Sequence, residues 1–79
     1  MILKQEHADV YKKLRFNITY TRKMQGLSQL QLAEKIGISR THMSNIEAPN
    51  GETGLSLDVL IDIAAALNVP IAKLFDFRD

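Results

Sequence analysis

An all-α domain of five short helices is what this 79-residue sequence predicts, and three observations carry the prediction. Apolar residues recur at helical spacing along most of the chain, and no alternating, strand-like run competes. Serine precedes an apolar segment three times, at Ser28, Ser39 and Ser56. Each is flanked by an apolar residue just before it (Leu27, Ile38, Leu55) and another four positions after it (Leu32, Met43, Leu60), the pattern of an N-cap inside a hydrophobic staple. Gly26 ends a helix as a left-handed cap would, Gly37 terminates the next, and Asn68 suits a further C-terminal end.

The first helix is expected from about Gln5 to Gln25, with Val10, Leu14 and Ile18 inward and Tyr11 and Met24 nearby. Ser28 and Gln31 make a capping box for a second helix that Gly37 ends. Ser39 caps a third, from Arg40 to about Ala48. The stretch "APNGETGL", with one proline and two glycines, reads as a loop. The fourth helix, Leu57 to Leu67, turns Val59, Leu60, Ile63, Ala64 and Leu67 inward and Asp58 and Asp62 toward water or the helix N-terminus. Pro70, tolerated in a first turn, starts a short fifth helix over "PIAKLFDF".

Length and composition fit one domain over residues 1–79, near the low end for a self-sufficient core, with 46% hydrophobic residues. No cysteine is present, so disulfides and thiolate chemistry are excluded. The N-terminal "MILKQEHADV" lacks the apolar region of a signal peptide and no run approaches a bilayer span, so no membrane partner and a cytoplasmic location are expected. His7 and His42 have no companions at metal-ligand spacing, and no metal or other cofactor is indicated. Asp58 and Asp62 lack the surroundings of an acid/base pair, and Gly51 and Gly54 precede no phosphate-loop lysine. The sequence therefore indicates neither a small-molecule substrate nor an enzyme. The charge is segregated along the chain. Six bases (Lys4, Lys12, Lys13, Arg15, Arg22, Lys23) face two acids from Met1 to Gln25 (net +4), whereas Ala48 to Asp79 carries net −3. Such a chain is oriented by a polyanion, and a solvated basic face accounts for the same numbers.

At 100° per residue, Arg40 to Ala48 places Met43 and Ile46 on one side and Thr41, Ser44, Asn45 and Ala48 opposite, flanked by Arg40 and His42. This outer face is small, polar and sparsely charged. Guanidinium, hydroxyl and amide groups are those that read base edges, whereas a face of lysines would bind phosphate without reading sequence.

The stretch from Leu27 to Glu47 resembles the helix-turn-helix of the lambda-repressor-like, Cro/C1-type family. Counted from Gln29, the motif wants a small residue at position five (Ala33), glycine at nine (Gly37) and apolar residues at Leu32, Ile36, Ile38, Met43 and Ile46, and all seven are met. The likeness runs from about Asn17 to Phe75, with the motif proper at about 28–48. It implies a five-helix domain and a DNA-binding transcription regulator or repressor that enters the major groove with its third helix. By the same resemblance Arg22 and Glu47 form a structural ion pair, Arg40, Thr41, Ser44 and Asn45 contact bases, and Ser28, Gln29 and Asn50 contact phosphate. "SRTHMSNIE" also resembles the recognition helix of restriction-modification controller proteins. There are two departures. The loop after Glu47 carries Pro49, Asn50, Gly51 and Glu52 where bases are common and is about two residues longer than is usual in the family, and Thr19 and Thr21 replace a basic residue and a leucine.

Ile71, Leu74 and Phe75 are at helical spacing and suit a core, while Phe77 lies beyond what one face can bury. An apolar overhang here fits a homodimer contact through Ile71, Leu74, Phe75 and Phe77, and two-fold symmetry is what reads two half-sites roughly 34 Å apart. The alternative is a protein-interaction module, an antitoxin or anti-repressor component using the same fold, which the low net charge suits.

Overall fold

The computed structural model describes residues 5–51 and 55–77. A single 3-10 turn, Gln5–His7, leads into α1 (Ala8–Met24), followed by α2 (Gln29–Ile36), α3 (Arg40–Glu47), α4 (Leu57–Ala66) and α5 (Ile71–Leu74). No strand occurs among the described residues, so the all-α, five-helix expectation holds. The "ETG" of the predicted loop, including Glu52, lies outside the described residues, as do Lys4 and Arg78.

The local signals behave as the chemistry requires. Ser28, Ser39 and Ser56 are the N-caps of α2, α3 and α4, their side chains accepting from the backbone N–H of Gln31, His42 and Val59. At Ser28 the box is complete, since Gln31 Oε1 accepts from the Ser28 N–H at 2.8 Å. Gly37 sits at φ +76°, and the N–H of Ile38 behind it reaches back to the Ala33 carbonyl at 3.0 Å, closing α2. Asn68, at φ 56°, does the same for α4, with Val69 N–H donating to the Ala64 carbonyl. Pro70 is the N-cap of α5 and not its first helical residue, and α5 is a single turn, shorter than "PIAKLFDF".

α2 packs on α3 and α4, and α1 packs on α3 and α5. Leu14, Ile18, Leu32, Ala33, Met43, Ile46, Leu55, Leu60, Ile63, Ala64, Leu67 and Leu74 form the core. Helix 1 departs from expectation. Val10 and Met24 are exposed, and the inward line runs through Leu14, Arg15, Ile18 and Arg22. Arg15 and Arg22 are seven residues apart, two helical turns, so they share a face. Two of the six bases counted toward a basic surface are therefore buried. Two amides fasten the C-terminal region to α1: Asn17 Nδ2 donates to the Leu74 and Asp76 carbonyls at 2.9 and 3.0 Å, and Gln25 Nε2 to the Leu67 carbonyl at 2.6 Å.

Candidate nucleic-acid interface

Helix α3 presents its outer face because its inner face is pinned. Met43 and Ile46 lie in the core, and Glu47 is 7% exposed against Arg22 at 6%. The pair is bidentate, with Arg22 Nε donating to Glu47 Oε2 at 2.7 Å and Nη2 to Oε1 at 2.9 Å. The fork has a third role, since Arg22 Nη1 donates to the Leu27 carbonyl at 2.7 Å. Gln29, at the start of α2, extends the cluster by donating from Nε2 to Glu47 Oε1 at 3.2 Å. One carboxylate thus ties α1, α2 and α3 together, and the expected structural pair is present.

The C-terminal end of α3 is closed in a way the sequence reading missed. Ala48 follows it in extended backbone, φ −63° and ψ 123°, so no left-handed residue caps it. Arg15, 1% exposed, donates instead from Nη1 to the carbonyls of Ile46 at 2.7 Å and Asn45 at 3.1 Å, placing a cation at the negative end of the helix dipole. Burial pushes this guanidinium below its usual pKa, with nearby Tyr11 acting in the opposite sense. The seven-residue spacing from Arg22 is the signal that would have found it. The turn after α3 is tight, Gly51 N–H donating to the Ala48 carbonyl at 3.0 Å. A Cβ on Gly51 would lie 3.0 Å from Arg15 Nη1 and 3.1 Å from the Asn45 carbonyl, so a side chain there crowds the closure.

Arg40, Thr41 and Asn45 are exposed on the outer face of α3 and Ser44 is half-buried between them, with His42 exposed at the edge. Ser28 is exposed at the start of α2, but its N–H and its acceptor capacity serve the capping box, leaving its hydroxyl proton to offer outward. Gln29 is half-buried and already holds Glu47, and Asn50 is exposed in the turn after α3. Of the C-terminal residues, Leu74 is fully buried in the chain's own core, and Ile71 and Phe77 are half-buried against it. The expectation that Phe77 escapes burial is corrected, because the chain folds back where Asn17 holds the Asp76 carbonyl. Phe75 is the exposed aromatic of the segment, its ring 6.3 Å from that of Phe77. Among the described residues no cluster of three or more His, Cys, Asp or Glu side chains is placed to hold a metal, and no helix is long and apolar enough to cross a membrane.

Two short helices joined through a left-handed glycine, the second turning a polar face outward from a braced inner side, define a helix-turn-helix domain. The chain belongs to the Cro/C1-type helix-turn-helix family of DNA-binding transcription regulators, and the family model described as Helix-turn-helix matches residues 18–74. It is 38% identical over 66 residues to Control protein C.SmaI of Serratia marcescens, covering 84% of this chain and 76% of that one. To the HTH-type transcriptional regulator SinR of Bacillus licheniformis it is 36% identical over 58 residues, 73% of this chain but about half (51%) of SinR. The fold is similar to that of the restriction-modification controller protein C.AhdI from Aeromonas hydrophila, with a TM-score of 0.75 and 29% identity over 82% of this chain and 96% of that one. These are regulators rather than enzymes, and the narrower likeness to controller proteins stands.

Proposed function

We propose that the chain is a sequence-specific transcription regulator acting in the cytoplasm, which reads the major groove of double-stranded DNA with α3 as a homodimer. One observation carries the reading: Arg40, Thr41, Ser44 and Asn45 share the outward face of a helix fixed from behind by Arg22, Glu47 and Arg15. Groups held on a rigid element are what base-edge readout needs, because directed hydrogen bonds tolerate little misplacement. Ser28, Gln29 and Asn50 contact phosphate beside this face and set the register. The likeness to C.SmaI and C.AhdI supports control of a restriction-modification system as the narrower role.

The dimer forms through the C-terminal segment, with Phe75 as its exposed anchor and Ile71 and Phe77 contributing their outer edges. Leu74 acts from behind, by holding that segment on the core. A second reading, the protein-interaction module, draws on the burial of Arg15 and Arg22 and on a turn after α3 whose described residues carry no base. Selection on random duplexes at about 50 mM salt, where phosphate contacts are strongest, decides between them. Enrichment of a two-fold site with half-sites about 34 Å apart is the expected result. A chain that enriches no sequence under those conditions is an interaction module.

A further inference from the structure

We propose that copies of this chain associate head to tail, the outer stripe of α1 in one copy seating the outer stripe of α4 in the next. Phe16, Tyr20 and Met24 lie at i, i+4 and i+8 on α1 and are 65%, 55% and 69% exposed. The first two rings stack, with centroids 6.1 Å apart and 19° between planes. At 100° per residue this stripe lies about 160° from the inward line of Leu14, Ile18 and Arg22. A contiguous row of large apolar side chains on so small a surface marks an interaction site. Its rim is basic. Lys12, Lys13 and Lys23 are exposed beside it, with Asp9 toward the N-terminal end. Lys73 and Asp76 stand across a groove of about 320 Å³ where Phe16 and Tyr20 meet the end of α5.

Helix α4 carries the counterpart at the same spacing. Leu57, Ile61 and Ala65 are exposed at i, i+4 and i+8, and the exposed Asp58 and Asp62 flank them, with Lys35 of α2 across a shallow groove from Asp62. Pairing α1 with a second α1 faces lysines with lysines, and pairing α4 with a second α4 faces aspartates with aspartates. Cross-pairing sets bases against acids and the bulky Phe-Tyr-Met row against the tapering Leu-Ile-Ala row. Both rows are i±4 ridges, which interdigitate at a crossing angle of about −50°.

The two surfaces differ, so the contact is heterologous and leaves one free stripe at each end of any assembly. It is also small. The two stripes expose on the order of 500 Å² of apolar side chain, well under the ~1,600 Å² of a stable complex. The association is therefore weak between free chains and takes effect where copies are held side by side, as on neighbouring sites of one duplex. Only that last consequence rests on the DNA-binding reading.

The test is ¹H–¹⁵N NMR of the full chain, diluted from about 1 mM to tens of micromolar at low ionic strength, where the charged rims are least screened. Resonances of residues 16–24 and 57–65 should move together with concentration. Lys13→Glu with Lys23→Glu, and separately Asp58→Lys with Asp62→Lys, should each weaken association about tenfold. Equal mixing of the two variants should restore it, because each reversed face then meets a reversed face. All four side chains are exposed, so both variants should stay folded and melt only slightly below the wild type, because Asp58 in the first turn of α4 and Lys23 in the last turn of α1 each lose a favourable contact with a helix dipole. Absence of concentration dependence, movement of one stripe without the other, or no recovery on mixing overturns the proposal. Failure to enrich a site from random duplexes would leave this contact untouched, so the two readings fail separately.

Discussion

At the scale of single residues, the buried fork of Arg22 on Glu47 decides whether α3 is held. Glu47→Gln keeps the shape and removes the charge, leaving a guanidinium that is 6% exposed without its counter-ion. Breaking a buried pair from one side costs about 3–5 kcal/mol, which urea unfolding would read as a lower midpoint at unchanged slope. Arg22→Lys should not spare the fold, because an ammonium cannot make the two parallel bonds to the carboxylate and the third to the Leu27 carbonyl. Gly51→Ala should destabilise by about 1–3 kcal/mol, since the new Cβ presses on Arg15 Nη1 and two backbone carbonyls. Arg40→Ala tests the reading role. If the guanidinium forks onto a guanine, preference flattens at one base pair per half-site, a loss of ~1–3 kcal/mol of discrimination. Affinity lost evenly across all sequences, with the salt slope reduced by about one, would make Arg40 a phosphate contact. The Arg22–Glu47 pair was legible through the family resemblance, which extends outward from the motif to both positions. Arg15 was not, because a base one residue from Leu14 looks like surface until its periodicity with Arg22 is noticed.

Among the helices, α1, α2 and α4 are closed at their C-terminal ends by their own neighbours in sequence, and α3 is closed by another helix. Ser39→Ala should therefore cost about 1 kcal/mol, as an ordinary lost N-cap does. Gly37→Ala, forced to φ +76°, should cost about 1–2 kcal/mol by left-handed strain although nothing crowds its Cβ. Thermal melting of both variants checks the order. The N-caps were readable because they are local chemistry, complete within four residues. The closure of α3 spans 30 and 31 positions and leaves no local trace. Helix 1 was misread at its ends: Val10 keeps the period of Leu14 and Ile18 yet is exposed, Met24 falls on the outer stripe with Phe16 and Tyr20, and the inward line admits two arginines instead.

Across the whole molecule, the proposed dimer rests on the C-terminal segment. Phe75→Asp, at an exposed position, should leave the melting temperature close to wild type and shift sedimentation toward monomer at concentrations that otherwise give dimer. Phe77→Asp is the poorer probe, since Phe77 packs on the core and its loss also weakens the fold. A wild-type chain that sediments as a monomer far above the concentration that saturates DNA would remove the two-fold argument. Here the sequence supplied the overhang but not its packing, because the fold-back depends on Asn17, 57 and 59 positions away from the carbonyls it holds. The ties on α3 also govern when the polar face exists at all. An eight-residue helix is well short of the ~12–15 residues that persist alone in water, and its fastenings reach back 25 to 31 positions to α1. Its amides should then exchange with solvent only through global unfolding. A chain trimmed of α1 would keep every residue of the motif and still have no formed surface to offer, so competence arrives with the finished fold or not at all.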